Sequence, residues 1–545
     1  MRFKIFLLLL IAMVTQSAWA DDWGIYEWGD SLYGVHTEVY EKRYPRATGG
    51  QWTMLTDGSY TCSPHTQDFL VSKTRVLTCP TSYIPANGVC VAPDNVPKAD
   101  NSDCPACDAA MLNQSNPIHA GLGFKAQTEN DYSSPSSALS FDRFYISGNH
   151  REPSLLGKNW RHTYDRSLSY FNNTAASLTT AVLIRPDRGR QYFKLVNNVW
   201  TPEAGYTERL ENIVGGGWLY TDNGDNKERY SEEGRLLSIE DRSGRVLTLQ
   251  YKLDQLDAVI DDAGRTLTFA YQYFTFNDDR KTRLVALGLP DGQLVKFQYD
   301  ANGMLERAIY PDATPLDSAD NPFRRYQYGD GATTQNYKLI GLFDEKGIQY
   351  ANWQYDSNGL AISSEHGTPG SGVDKVSFVY NADGSSVVTS PLGQARTYNF
   401  TVINGSKKMT SMSAACPACG TNFAARVYDT NGKTDVETDF AGTTTDTDYN
   451  ARGLLTQKIE SANKAATKRT TQTDWHATFN VPTERRILNA TGVLEAKTKY
   501  AYNARGQVTA SCQIDPTNST AMAYVCGSAT NAPTGVRQST TAYCE

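Results

Sequence analysis

The chain has 545 residues, of which 40% are hydrophobic and only 20% charged, and its 42 glycines and 32 tyrosines suit many short strands joined by turns. A formal net charge of −7 and a pI near 5.6 leave no basic face of the kind nucleic acid requires, and they disfavour adsorption to anionic membranes. No nucleic-acid partner is expected.

Residues 1–20 read as a secretion signal. Arg2 and Lys4 give a basic start, Ile5 to Val14 form an apolar run, and Ala18-Trp19-Ala20 is a small-x-small cleavage site before Asp21. The run is too short to span a bilayer, which takes about 20 residues, and no second apolar segment follows. The expectation is an exported protein, secreted, on the cell surface or periplasmic, with no integral membrane segment after signal cleavage.

Export makes disulfides the default state of the cysteines. Residues 21–110 form a cysteine-rich N-terminal region holding Cys62, Cys79, Cys90, Cys104 and Cys107; Cys416 and Cys419 lie mid-chain, and Cys512, Cys526 and Cys544 close it. The spacing leaves the pairing open. Two Cys-Pro-Ala-Cys pairs, at 104–107 and 416–419, have the geometry of zinc ligands or of a redox dithiol. The exported context and the lack of a surrounding strand–helix redox pattern favour structural disulfides, so no cofactor or metal is expected. The head also carries Trp23, Tyr26, Trp28, Tyr33, Tyr40, Tyr44 and Trp52, which suit either a disulfide-stapled core or stacking on a cell-surface glycan.

Residues 111–200 are read as a small β-rich domain. Within it, Trp160-Arg161-His162-Thr-Tyr164-Asp165 gathers titratable groups, but alternate residues of an extended chain point to opposite faces. Packing of Trp160 and Tyr164, with Arg and Asp pairing, is favoured over acid–base chemistry at His162. The other histidines are scattered without metal-ligand spacing.

Residues 201–545 are dominated by a recurring corner. Tyr299-Asp300-Ala-Asn-Gly303 returns as Tyr355-Asp356-Ser-Asn-Gly359, Tyr380-Asn381-Ala-Asp-Gly384, Tyr428-Asp429-Thr-Asn-Gly432, Tyr449-Asn450-Ala-Arg-Gly453 and Tyr502-Asn503-Ala-Arg-Gly506, with a divergent copy at Tyr230-Ser231-Glu-Glu-Gly234. Asp or Asn favours the first position of a type I turn, and Gly the left-handed residue that returns the chain to a strand. Val295, Phe297 and Tyr299 alternate with Lys296 and Gln298, as do Leu267, Phe269 and Tyr271 with their neighbours, which is the period of a two-faced sheet. A second glycine precedes several of these strands, at Gly292, Gly347, Gly442 and Gly492. Each unit is therefore glycine turn, strand, tyrosine corner, strand, and the periodic recurrence marks a repeat architecture.

These corners resemble the tyrosine-aspartate (YD) repeats of the Rhs proteins, large bacterial surface and toxin-delivery proteins. The stretch from Asn116-Pro117 through Leu139-Ser-Phe141-Asp-Arg143-Phe-Tyr145 to Asp165 is similar to the domain preceding the repeats in that family. The resemblance implies an all-β fold, a continuous antiparallel YD-repeat sheet forming part of a shell. It also implies a structural role around a C-terminal toxin or effector segment, which this sequence lacks. Complete members carry a self-cleaving Asp-Pro-x-Gly core; here Asp515-Pro516-Thr517-Asn518 lacks the glycine, so neither cleavage nor toxicity carries over. No Gly-x-Ser-x-Gly elbow or phosphate loop is present, and the aspartates sit in turn frames, so no enzyme is expected. A surface adhesin binding carbohydrate is the alternative. About a dozen hairpins are few for full closure, which leaves sheet edges to be dealt with.

Overall fold

A computed structural model describes residues 117–148 and 154–543, apart from short loops at 174–177, 187–188, 277–278, 313, 315–319, 330–336, 416–422 and 529–530. Before residue 117 it describes only the backbone of short strands between residues 23 and 91. The predicted signal, and Cys79, Cys104, Cys107, Cys416, Cys419 and Cys544, lie outside the described residues; of Cys62 and Cys90 only the strand backbone is described. The chain divides into two compact units, Met1–Val96 and Pro97–Glu545. In the first, Trp23–Trp28, Thr37–Lys42 and Thr74–Val76 pair antiparallel, as do Gln51–Met54 with Tyr60–Ser63 and Ile84–Ala86 with Val89–Val91.

Among its described residues the second unit is all-β save for one short helix, Ser519–Ala523, capped by the Asn518 side chain. A three-stranded sheet of Ala126–Ser133, Ser140–Ile146 and Trp160–His162 precedes a 31-stranded antiparallel sheet running from Ser167–Asn173 to Val536–Thr540. Every strand of the long sheet pairs with its sequence neighbours, so all its connections are local. The long sheet starts at Ser167, upstream of the recurring corners.

Alternation decides the faces. In Leu294–Tyr299 the side chains of Val295 and Phe297 are buried while Leu294, Lys296 and Gln298 are exposed. Leu267 and Phe269 are likewise buried between exposed Thr268 and Ala270. The buried face of the strands up to Phe378 packs with Ile118, Leu139, Phe141, Tyr145, Leu156 and Trp160 of the preceding segment in one core. Beyond that point Tyr398, Met409, Met412 and Phe423 form a separate small cluster, and after it the apolar face fades. Thr434–Asp439 and Leu455–Glu460 contain no residue that is either fully buried or fully exposed, because threonines, acids and lysines replace the aliphatic residues.

The sheet nevertheless completes a circuit. Arg209 Nη1 donates to Thr478 O at 3.1 Å, Asp225 Oδ2 accepts from Asn480 N at 2.7 Å, and Arg505 Nη1 donates to Ser243 O at 3.1 Å. These partners stand 269, 255 and 262 residues apart in a single continuous ladder, so the sheet has curved once around and laid its later corners on its earlier ones. It is a spiral rather than a closed barrel, since no hydrogen-bonded ladder joins its first and last strands. At the start, Leu168 N donates to Gly234 O at 2.9 Å. Gly234 has φ 82° and a Cβ there would lie 1.6 Å from Leu168 O, so only glycine allows the approach.

Candidate functional site

The corners have one geometry. The Asp300 carboxylate accepts from the backbone N–H of Asn302 and of Met304, both at 2.9 Å, while Gly303 N donates back to Asp300 O. Asp356, Asp429, Asn450 and Asn503 repeat this arrangement with the second and fourth residues following them. Gly303, Gly359, Gly384, Gly432, Gly453 and Gly506 all have φ between 73° and 85°. At Asn381 the work is divided: its amide donates to Ser385 Oγ, and the Asp383 carboxylate accepts from Ser385 N. Corners on the opposite edge, at Asp344, Asp439 and Asn489, use the same bonds. The side-chain oxygen and the glycine thus make a turn, and tyrosine is what distinguishes one edge from the other.

The tyrosines form a continuous spine. At these corners, except that of Tyr380, the ladder slips by one residue, setting Tyr299 opposite Leu305, Tyr355 opposite Ala361 and Tyr502 opposite Val508. The next aromatic residue along the sheet then donates its hydroxyl to the carbonyl of that opposed residue: Tyr328 to Leu305, Tyr355 to Leu339, Tyr380 to Ala361, and Tyr543 to Val508. Tyr299 donates to Leu284 O, Tyr428 to Met409 O and Tyr502 to Pro482 O. Tyr251, Tyr271 and Trp475 belong to the same series although no Asp-x-x-Gly follows them, and they bond Leu236 O, Leu256 O and Leu455 O. An aromatic residue closing every second strand, with an aliphatic residue opening the next, is the signal that would have revealed them. At Thr434 the bond comes from Thr447 Oγ1. Burial pushes the phenols of Tyr299, Tyr328, Tyr355 and Tyr380 above their ordinary range, and Tyr502 up to about 12, so the spine is protonated and donating.

Segment 117–165 docks onto this spine through buried polar groups. Trp160 Nε1 donates to Tyr328 Oη at 2.7 Å, and Tyr299 Oη lies 3.2 Å from Leu155 O. Tyr145 Oη donates to Tyr337 O and accepts from Leu339 N. Arg143, fully buried, pairs with Asp131, donates to Tyr326 Oη at 3.0 Å, and lies over the rings of Trp160, Phe297 and Tyr326. Tyr310 Oη completes Asp131 at 2.8 Å, and Arg324 reaches across to Glu129. His162 stacks on Phe141 at 5.2 Å and faces Phe269; its Nδ1 accepts from Tyr164 N, which leaves Nε2 to donate to Asp165 at 3.2 Å. Burial lowers its pKa, against the opposing pull of Asp165. The cluster read from the sequence around His162 is therefore packed into the docking interface.

A third assembly joins successive turns of the spiral. Between Trp475 and Pro482 the loop 476–480 stands where a tyrosine corner would be. Arg452 donates to His476 O, Ala477 O, Thr478 O and Asn480 Oδ1, and Arg209 adds a bond to Thr478 O. Asn480 in turn reaches Asp225 and Asn223 of the earlier corner. Sequence reasoning passed over this loop because it lacks the repeat frame. Further on, Cys512 and Cys526 form a disulfide that holds the connection containing the helix against the strand Val508–Ile514.

Among the described residues no three His, Cys, Asp or Glu side chains gather as for a metal ion. No helix among them is long and apolar enough to cross a membrane. An open depression lined by Gln354, Asp356, Lys375, Ser377 and Phe378 holds a single carboxylate.

Residues 115–193 match a family model described as a domain of unknown function (DUF6531). No curated protein matches the chain at a significant level. Among solved structures, the chain is similar to TcdB2-TccC3-TEV, with 14% identity and a TM-score of 0.35 over 70% of this chain and 20% of that one. TcdB2-TccC3 without its hypervariable C-terminal region gives 11% and 0.32 over 70% and 22%, and a Photorhabdus luminescens Tc holotoxin pore 12% and 0.15 over 71% and 31%. The chain thus spans less than a third of the length of these chains. Identities and TM-scores at this level transfer neither fold nor activity.

Proposed function

We propose that this chain is the structural wall of an exported Rhs-type protein, a spiral sheet that encloses or presents a polypeptide and performs no catalysis of its own. The observation that carries the reading is the contact between corners 255–269 residues apart, which turns a ladder of local hairpins into a wall that curves around on itself. Two further features support it. The strands up to Phe378 have their apolar face filled by the chain's own segment 117–165, whereas the strands Thr434–Asp439 and Leu455–Glu460 offer threonine, lysine and acidic residues. A polar lining suits a wall that must contain another chain without adhering to it. The repeated corner, with its resemblance to YD repeats, supplies the family context.

A protection assay tests this. A protease-sensitive, unstructured reporter is appended after Glu545 of the full chain and digested under native conditions. Enclosure predicts cleavage at least about tenfold slower than in the free reporter, in proportion to the population of the open state. Cleavage at the free rate sinks the enclosure reading. Protection that survives in a variant with Asp225→Ala and Arg452→Ala would show that the wall does not depend on the contact between turns.

A further inference from the structure

Lys125 is a buried amine whose hydrogen bonds stay within its own segment. It stands one residue ahead of the strand Ala126–Ser133, fully enclosed, with Nζ 4.3 Å from the centre of the Trp353 ring. Nζ donates to two neutral oxygens, Ala126 O and, at 2.8 Å, Gln127 Oε1. A lysine held this way is costly to keep charged. Burial pushes its pKa well below the ordinary lysine value, against the raising pull of Glu129, and a neutral lysine amine is a nucleophile.

Strand alternation places Lys125, Gln127 and Glu129 in a row on one face. The Gln127 carboxamide is held between the other two: its oxygen faces Lys125 Nζ, and its Nε2 donates to Glu129 Oε1 at 2.8 Å. Glu129 is itself buried and fixed from its other oxygen by Arg324. Across the ladder Gln127 is paired with Tyr145, a wholly buried ring. Since a carbonyl bond is about 1.2 Å long, the Gln127 Cδ lies within about 4 Å of Nζ. A desolvated amine, an amide carbon within reach and a carboxylate bonded to the departing nitrogen are the parts of an acyl transfer, and holding them together replaces a collision with an intramolecular step.

We propose that Lys125 and Gln127 join in an isopeptide bond that the folded chain forms by itself, with Glu129 relaying the proton. Lys125 Nζ bonds to Gln127 Cδ, the Cδ–Nε2 bond breaks, and one proton passes from Nζ through the Glu129 carboxylate to Nε2, which leaves as ammonia. Nothing is oxidised or reduced, and no co-reactant is consumed. The product replaces a buried amine by a neutral amide beneath Trp353, which removes the cost of a buried charge. The inference does not rest on the enclosure reading.

Peptide mapping of the full chain tests it. Trypsin cuts after an unmodified Lys125, whereas the linked chain should yield one reduced and alkylated peptide of residues 99–143, uncut at 125 and lighter by one ammonia, with the deficit placed between Lys125 and Gln127 by fragmentation. Gln127→Met removes the acyl group and should restore cleavage and full mass. Glu129→Gln should lower the linked fraction in freshly made protein at least about tenfold. The proposal is overturned if the parent is cut after Lys125 at full mass, if the deficit maps to an asparagine, or if Gln127→Met stays uncut. A Glu129→Gln chain linked to the parent's extent overturns the relay. Should that variant fail to fold, the parent's own peptide and Gln127→Met still decide whether the bond forms.

Discussion

Single residues in the spine are worth different amounts according to how many partners they satisfy. Tyr328 donates to Leu305 O and accepts from Trp160 Nε1, so Tyr328→Phe leaves two buried groups without a partner. A loss of about 2–3 kcal/mol is expected, against about 1 kcal/mol for Tyr380→Phe, whose hydroxyl serves Ala361 O; urea melts of the two variants make the comparison. The corner residues grade the same way. Asn450 and Asn503 already do what Asp300 does, so Asp300→Asn should be close to neutral. Asp300→Ala loses both N–H acceptors, at a cost of about 1 kcal/mol read from thermal unfolding. His162 gives a pH dependence. Burial depresses its folded pKa below the ordinary 6.5, so the unfolded chain takes the proton first as the pH falls. Stability at this site is complete above about pH 6.5 and declines toward the depressed folded value. Melting temperatures between pH 7.5 and 5 should drop more steeply for the parent than for His162→Asn; parallel curves would rule the group out.

At the scale of elements, a hairpin closes by its own turn chemistry, but its place against the previous circuit depends on a few side chains. Arg452 makes four bonds to the loop 476–480, and Asn480 carries the contact to Asp225. Arg452→Ala should leave the strands Leu455–Glu460 and Arg469–Trp475 paired, because their ladder is backbone-made. Amide exchange at Asn480 should rise, while Gly453 N, bonded to Asn450 O within its turn, keeps its protection. Equal protection at Asn480 in parent and variant would remove the loop from the winding contact. This division explains what could be read in advance. The Tyr-Asp-x-x-Gly corners were legible because turn geometry is a local property of five residues. The loop 476–480 was not, because its meaning is a contact made 255 residues away.

For the whole molecule, the docking of segment 117–165 is the interaction with the most to lose. Arg143 and Asp131 are fully buried, and removing one partner strands the other charge. Asp131→Ala is expected to cost about 3–5 kcal/mol and to expose the segment to limited proteolysis, whereas Asp131→Leu with Arg143→Met should be far milder because no buried charge is left unpaired. A mild Asp131→Ala would show that water reaches the pair. Strand positions, their inward and outward faces and the type of turn at each corner followed from alternation and from Asp, Asn and Gly at fixed offsets, since these depend on neighbours in the chain. That Trp160, Arg143 and His162 would fill the apolar face of strands more than a hundred residues away was decided by packing alone. So was the circuit of the sheet. Its curvature accumulates from small rotations between many strands, and no single hairpin carries enough of it to betray where Arg209 will meet Thr478.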